Sequence, residues 1–67
     1  MTIFGERLKE LRKTKGTTQK QVADAIGIAE RNYQRYEAVP VNLPAKTIVK
    51  LADYFNVTTD YLLGRFD

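Results

Sequence analysis

The stretch TQKQVADAIGIAERNYQRYE, residues 18–37, decides the fold. Thr18 with Gln21 three residues later has the form of a capping box, so a helix is expected to start there. Val22, Ala23 and Ile26 fall on one face of that helix, and Gly27 ends it. Only Ile28 and Ala29 follow before the polar run ERNYQRYE, which reads as a second helix over residues 30–38. A break as short as GIA, residues 27–29, leaves no room for an antiparallel hairpin with full side-chain contact. It makes the two helices cross at a steep angle, with Ile28 under the corner, the arrangement of a helix-turn-helix.

In that unit the first helix crosses a phosphate backbone, and the second places its N-terminal residues at base edges in the major groove. Spacing alone equally allows a packing corner in another helical bundle. The residues of the second helix bear on the choice. At about 100° per residue, Ala29, Tyr33, Tyr36 and Glu37 share one face, and Arg31, Arg35 and Ala38 lie opposite. Glu30 and Gln34 flank one side and Asn32 the other. The tyrosines are therefore expected to anchor the helix and the arginines to project outward. A buried tyrosine contributes much apolar area but needs a partner for its hydroxyl.

Outward from this pair the hydrophobic spacing stays helical. A first helix is expected from Phe4 to Lys15, with Phe4, Leu8 and Leu11 inward and Gly16 as a left-handed cap. After VPVNLP, residues 39–44, where two prolines forbid a continuing helix, a fourth helix runs from Pro44 to Phe55. Pro44 suits its first turn, and Ile48, Leu51, Ala52 and Phe55 face inward. Asn56 closes that helix, Thr58 caps a short fifth one, and Leu62 and Leu63 are expected to seal the core. The expectation is one all-α domain of five short helices over residues 1–67.

Two charges fall on apolar stripes: Arg12 in the first helix and Glu37 in the third. Desolvating either alone is costly. Their opposite signs suggest a partly buried ion pair joining the first helix to the end of the third. The alternative is that both long side chains reach solvent at the helix edges.

Composition limits the chemistry. The chain has 67 residues and a formal net charge of +3. That excess permits contact with a polyanion without requiring it. RLKELRKTK, residues 7–15, is strongly basic, as a solvated amphipathic helix can also be. There is no His, Cys, Ser or Trp. Ser–His and Cys–His nucleophiles and finger-type zinc sites are therefore impossible. No closely spaced carboxylate pair suggests a pocket, so no enzyme, metal or cofactor is expected. The absence of cysteine fits a reducing cytoplasm, and no segment approaches the ~20 apolar residues of a membrane span.

Together GERLKELRKTKG (5–16), TQKQVADAIGIAERNYQRYE (18–37) and LADYFNVTTDYLLG (51–64) resemble the phage-repressor and Cro-like helix-turn-helix family, also called the xenobiotic-response-element family. The marks are Arg12 before Gly16, Gln19, Ala23, Gly27, Glu37 and the closing DYLLG. The C-terminal segment looks especially like regulators of Gram-positive bacteria and their prophages. The resemblance implies a compact five-helix lambda-repressor-like DNA-binding domain, commonly a homodimer on a double-stranded operator with two-fold symmetry. It also implies that Arg12 and Glu37 occupy a recurrent salt-bridge position. By the same resemblance Glu30, Arg31 and Arg35 face bases, Gln19 contacts a phosphate with Thr18 beside it, and Asn32 and Gln34 are weaker candidates.

The chain departs from that pattern in three places. Ala29 replaces the Ser or Thr usual before the reading helix, so the side-chain cap is missing. Tyr33 replaces an aliphatic core residue. After Glu37 the sequence runs AVPVNLP, without the glycine and basic residues that grip phosphates. Val39 is unsuited to a left-handed turn. Val41 and Leu43 either pack on the core or present an apolar patch to a partner subunit, and the tail, Phe66 especially, is another candidate for the dimer surface. The expected function is a cytoplasmic sequence-specific transcriptional repressor. The alternative, on the same fold, is an antitoxin or other protein-interaction module.

Overall fold

The computed structural model describes residues 3–65. They form five helices: α1 Ile3–Lys15, α2 Gln19–Ile26, α3 Glu30–Ala38, α4 Ala45–Phe55 and α5 Thr59–Leu63. No strand occurs among the described residues. Phe66, raised above as a dimer candidate, lies outside them.

One device ends four of the five helices. After α1, α2, α4 and α5 a left-handed residue follows: Gly16, Gly27, Asn56 and Gly64, with φ of 75°, 78°, 57° and 74°. In each case the next amide reaches back five residues, as in Ile28 N–H to the Ala23 carbonyl at 3.0 Å and Val57 N–H to Ala52 at 2.9 Å. This is the Schellman motif, which satisfies the orphan carbonyls of a helix end and turns the chain sharply. It makes the three-residue link from α2 to α3 possible. At Gly27 a Cβ would meet no neighbouring atom, so the demand for glycine there is conformational and not steric.

N-terminal caps are less uniform. Thr18 and Gln21 form the full capping box before α2: the Thr18 hydroxyl accepts from Gln21 N–H at 3.0 Å, and Gln21 Oε1 accepts from Thr18 N–H at 2.8 Å. Thr58 accepts from Tyr61 N–H at 3.0 Å before α5. Pro44 stands one position earlier than expected. It is the residue before α4, in extended conformation, and its carbonyl accepts from Thr47 and Ile48 N–H.

Leu8, Val22, Ala23, Ile26, Tyr33, Leu51, Ala52, Phe55 and Leu62 form the core, so every helix contributes to it. Phe4, Leu11, Ile28 and Leu43 pack around it half-buried. Leu63 does not seal the core, because it is 43% exposed. α5 is a single turn, and with Leu62 facing inward its neighbour is rotated about 100° away. α3 packs mainly against α1 and α2.

Candidate nucleic-acid interface

α3 is held to the body by its inner face. Tyr33 is completely buried, and its ring meets Tyr36 edge-on with centroids 6.2 Å apart. At the far end of the helix, Arg12 Nε donates to Glu37 Oε2 at 2.7 Å and Arg12 Nη2 donates to Glu37 Oε1 at 3.1 Å. This fork is the bidentate geometry that makes arginine–carboxylate pairs strong and directional. The side chains are 14% and 4% exposed. Gln19 Nε2 adds a bond to Glu37 Oε1 at 3.1 Å, and Arg12 Nη1 reaches the Thr17 carbonyl at 3.3 Å. One carboxylate therefore ties α1, the start of α2 and the end of α3 together.

The charges of this cluster tune each other. Burial pushes the Glu37 carboxyl up, but the hydrogen bonds from Arg12, the nearby Tyr33 hydroxyl, the Gln19 amide and the arginine's charge outweigh it and hold the group below the usual glutamate range. The bond to Glu37 raises the Arg12 guanidinium. Burial, with Glu37 beside it, pushes the Tyr33 phenol far up, so it stays neutral. Among the described residues the Tyr33 hydroxyl is a buried polar atom that meets no partner in hydrogen-bond geometry.

The opposite face carries the other residues singled out above. Glu30, Arg31, Asn32, Gln34 and Arg35 are all exposed. Gln34 Nε2 lies 3.5 Å from Glu30 Oε2, a long bond along the helix. The guanidiniums of Arg31 and Arg35 have no ion pair or hydrogen bond among the described residues. Gln19 sits at the start of α2 with one amide N–H given to Glu37, and its second N–H stays available. Thr18 uses its oxygen as an acceptor in the capping box and keeps its own proton to donate.

The ends of α3 have none of the devices that cap its neighbours. Ala29 supplies no side-chain bond, and Val39 continues in extended conformation at φ −137° instead of turning left-handed. The chain then runs along the helix, and a polar groove opens between them, lined by Asn32, Arg35, Tyr36, Pro40, Val41 and Asn42. Asn42 and the outer edge of Tyr36 were not readable as surface features. Helical periodicity says nothing about a loop, and it assigned Tyr36 to the interior, where it is only half-buried.

Comparison with known proteins agrees with this geometry. The helix-turn-helix family profile matches residues 8–62. The SPbeta prophage-derived HTH-type transcriptional regulator YonR of Bacillus subtilis is 43% identical over 61 residues, covering 91% of this chain and 56% of that protein. The HTH-type transcriptional regulator ImmR of the same organism is 43% identical over 62 residues, covering 92% of this chain and 49% of that protein. The chain thus spans about half the length of these curated relatives. The crystal structure of the restriction-modification controller protein C.AhdI from Aeromonas hydrophila superposes with a TM-score of 0.82 at 31% identity, over 91% of this chain and 92% of that one. The chain belongs to the helix-turn-helix family, and the relatives it matches are HTH-type transcriptional regulators.

Proposed function

We propose that the chain acts as a sequence-specific transcriptional repressor in the cytoplasm, binding a two-fold operator as a homodimer, with residues 1–67 forming one DNA-binding domain. The supporting observation is the division of α3. One face is locked to the body by Tyr33 and the Arg12–Glu37 fork, and the other presents two guanidiniums with no partner of their own. A rigidly mounted helix with free cations is what insertion into a major groove needs.

Arg31 sits in the first turn of α3, where base edges come within reach, and its fork matches guanine O6 and N7. Glu30 accepts from a cytosine amino group or orients Arg31, with Gln34 steadying its carboxylate. Arg35 follows one turn later and meets a neighbouring base or the backbone. Gln19 and Thr18 offer donors to a phosphate at the start of α2, and Asn32 flanks the reading face. Occupancy of the operator competes with polymerase, and no covalent chemistry is involved. Two copies set the reading helices about 34–36 Å apart, one turn of DNA.

Selection of bound sequences from random duplexes tests this reading. A recovered motif with two-fold symmetry and half-sites about one turn apart is expected. Failure to retain any duplex at low salt overturns it. No observation in the structure or among the relatives favours the antitoxin alternative.

A further inference from the structure

Among the described residues the Tyr33 hydroxyl is the one buried polar side-chain atom without a partner. The ring is fully buried and would pack as well without its oxygen, so the hydroxyl calls for a reason. It stands beside Arg12 and Glu37, near enough to feel the charge of both, but in bonding geometry with neither. A guanidinium accepts no hydrogen bond, so Glu37 is the acceptor within reach. Its carboxylate offers about four lone-pair sites. Three are taken: Oε2 by Arg12 Nε, and Oε1 by Arg12 Nη2 and Gln19 Nε2. The two arginine bonds form a charged fork between buried side chains. The Gln19 bond differs. It is 3.1 Å long, its donor is uncharged, and it comes from the half-buried first residue of α2. Gln19 is thus the donor that can leave, and the Tyr33 phenol is the uncommitted donor beside the place it would vacate.

We propose that Tyr33 is a stand-in donor for Glu37: when Gln19 turns its amide from the carboxylate to an operator phosphate, the Tyr33 hydroxyl takes the vacated place. The exchange rests on the DNA-binding reading above, which gives Gln19 the phosphate, and adds what that contact requires inside the domain. Without a replacement, a carboxylate only 4% exposed would lose one of its three donors whenever the chain bound DNA. Leaving a buried acceptor short in this way is costly. With the exchange, the donor lost at the surface is matched by one gained in the core. A phenol idle in the free chain becomes bonded in the complex. The Arg12–Glu37 fork stays closed throughout, so α3 keeps its mounting while Gln19 changes partner. Tyr33 is therefore a positioning residue: it touches no DNA, and its effect on affinity passes through Gln19.

Thermal melts of the full chain test the exchange without DNA. Tyr33→Phe alone should leave the melting temperature level or slightly higher, because the hydroxyl is idle in the free chain. Gln19→Ala vacates the place at Glu37, and the phenol is expected to fill it. Tyr33→Phe made in the Gln19→Ala chain should therefore lower the melting temperature by at least about 6 °C, unlike its effect in the native chain. Carbon-13 labelling at tyrosine Cζ reads the bond itself by NMR, with the Tyr33 signal assigned by its loss in Tyr33→Phe. That signal should move in the same direction when the selected operator duplex is added to the native chain and when Gln19 is replaced by Ala without DNA. Tyr33→Phe should also weaken binding to the operator and to its single-base variants by one common factor, several-fold. That weakening should vanish in the Gln19→Ala background. If Tyr33→Phe changes stability equally in both backgrounds, or the Tyr33 signal stays in place in both experiments, the exchange is overturned. Gln19 then bridges Glu37 and the phosphate with its two N–H groups, and the phenol stays idle. A native chain that retains no duplex at low salt overturns the regulator reading itself, a result distinct from either because the melts need no DNA.

Discussion

Replacing Arg12 by Met tests how α3 is mounted. Glu37 is 4% exposed, and two of its three hydrogen bonds come from Arg12, the third from Gln19. Met matches the length of the guanidinium stem but leaves a buried carboxylate with only Gln19 as a donor. Removing one partner of a buried pair costs about 3–5 kcal/mol, because the surviving charge stays desolvated. A single core of this size supplies roughly 3–5 kcal/mol in total, so the loss is comparable with the whole stability of the domain. At about 4–8 °C per kcal/mol for a domain of this length, the melting temperature should fall by at least ~12 °C.

The pH dependence separates a lost charge pair from simple loss of packing. In the native chain the Glu37 carboxyl titrates below the ordinary range. Its contribution to stability is complete above about pH 5 and disappears as the pH falls through the depressed folded value. In Arg12→Met the balance reverses. Burial, the largest influence on Glu37, is then opposed only by the nearby Tyr33 hydroxyl and by Gln19, so the folded carboxyl is expected to rise above its unfolded value and to take up a proton more readily when folded. That variant should gain stability as the pH drops from 7 to about 5, where the native chain is flat. Arg12→Met combined with Glu37→Leu removes both charges and should recover to within about 1 kcal/mol of the native chain. Circular-dichroism melts of the three proteins across pH decide the matter. An Arg12→Met protein melting within about 4 °C of the native one, with no change in pH slope, would refute the claim that this pair fixes α3.

Tyr33→Phe removes a buried hydroxyl that has no bond in hydrogen-bond geometry, so stability should stay level or rise by up to ~1 kcal/mol; a loss above that in a denaturant melt would mean the phenol does donate to Glu37. Ala29→Ser restores a side-chain cap at a residue already in the extended conformation a cap requires; a gain of about 0.5–2 kcal/mol is expected. In the native chain hydrogen exchange in the first turn of α3 should slow on adding operator, and equal protection with and without DNA would show that this end is already ordered. Gly27→Ala meets no clash but forces φ of 78° on a side chain; a loss of about 1–2 kcal/mol is expected, and an unchanged melting temperature would show that the α2–α3 link tolerates another conformation. Arg31→Ala should cost about 1–3 kcal/mol at one operator position only; a uniform loss across all sequences would place Arg31 on the backbone.

The legible parts of this fold are those in which a local rule and the tertiary structure agree. Gly16, Gly27 and Gly64 stand where left-handed turns are needed, and Thr18 with Gln21 makes its box. Arg12 and Glu37 were visible as a pair because each breaks an apolar stripe, and a charge in that position needs a reason. The outward direction of Arg31 and Arg35 followed from period alone. What period could not supply was anything beyond the helices. The extended path after Val39, and with it the groove between Tyr36 and Asn42, depends on how the loop packs. Leu63 misled for a related reason: one turn of helix offers a core a single inward position, and Leu62 occupies it. α3 itself shows why local rules were weakest at the site. It is the helix with neither a side-chain cap at its start nor a left-handed residue at its end, so its position comes from Tyr33 and Glu37, contacts made across the fold. A helix mounted from its side keeps both ends clear. Its first turn can approach base edges without a capping side chain between them, and the open chain after its last turn can run alongside it instead of folding back under the domain. The features that weaken α3 as an isolated helix are thus the ones that leave its outer face and both termini open to DNA.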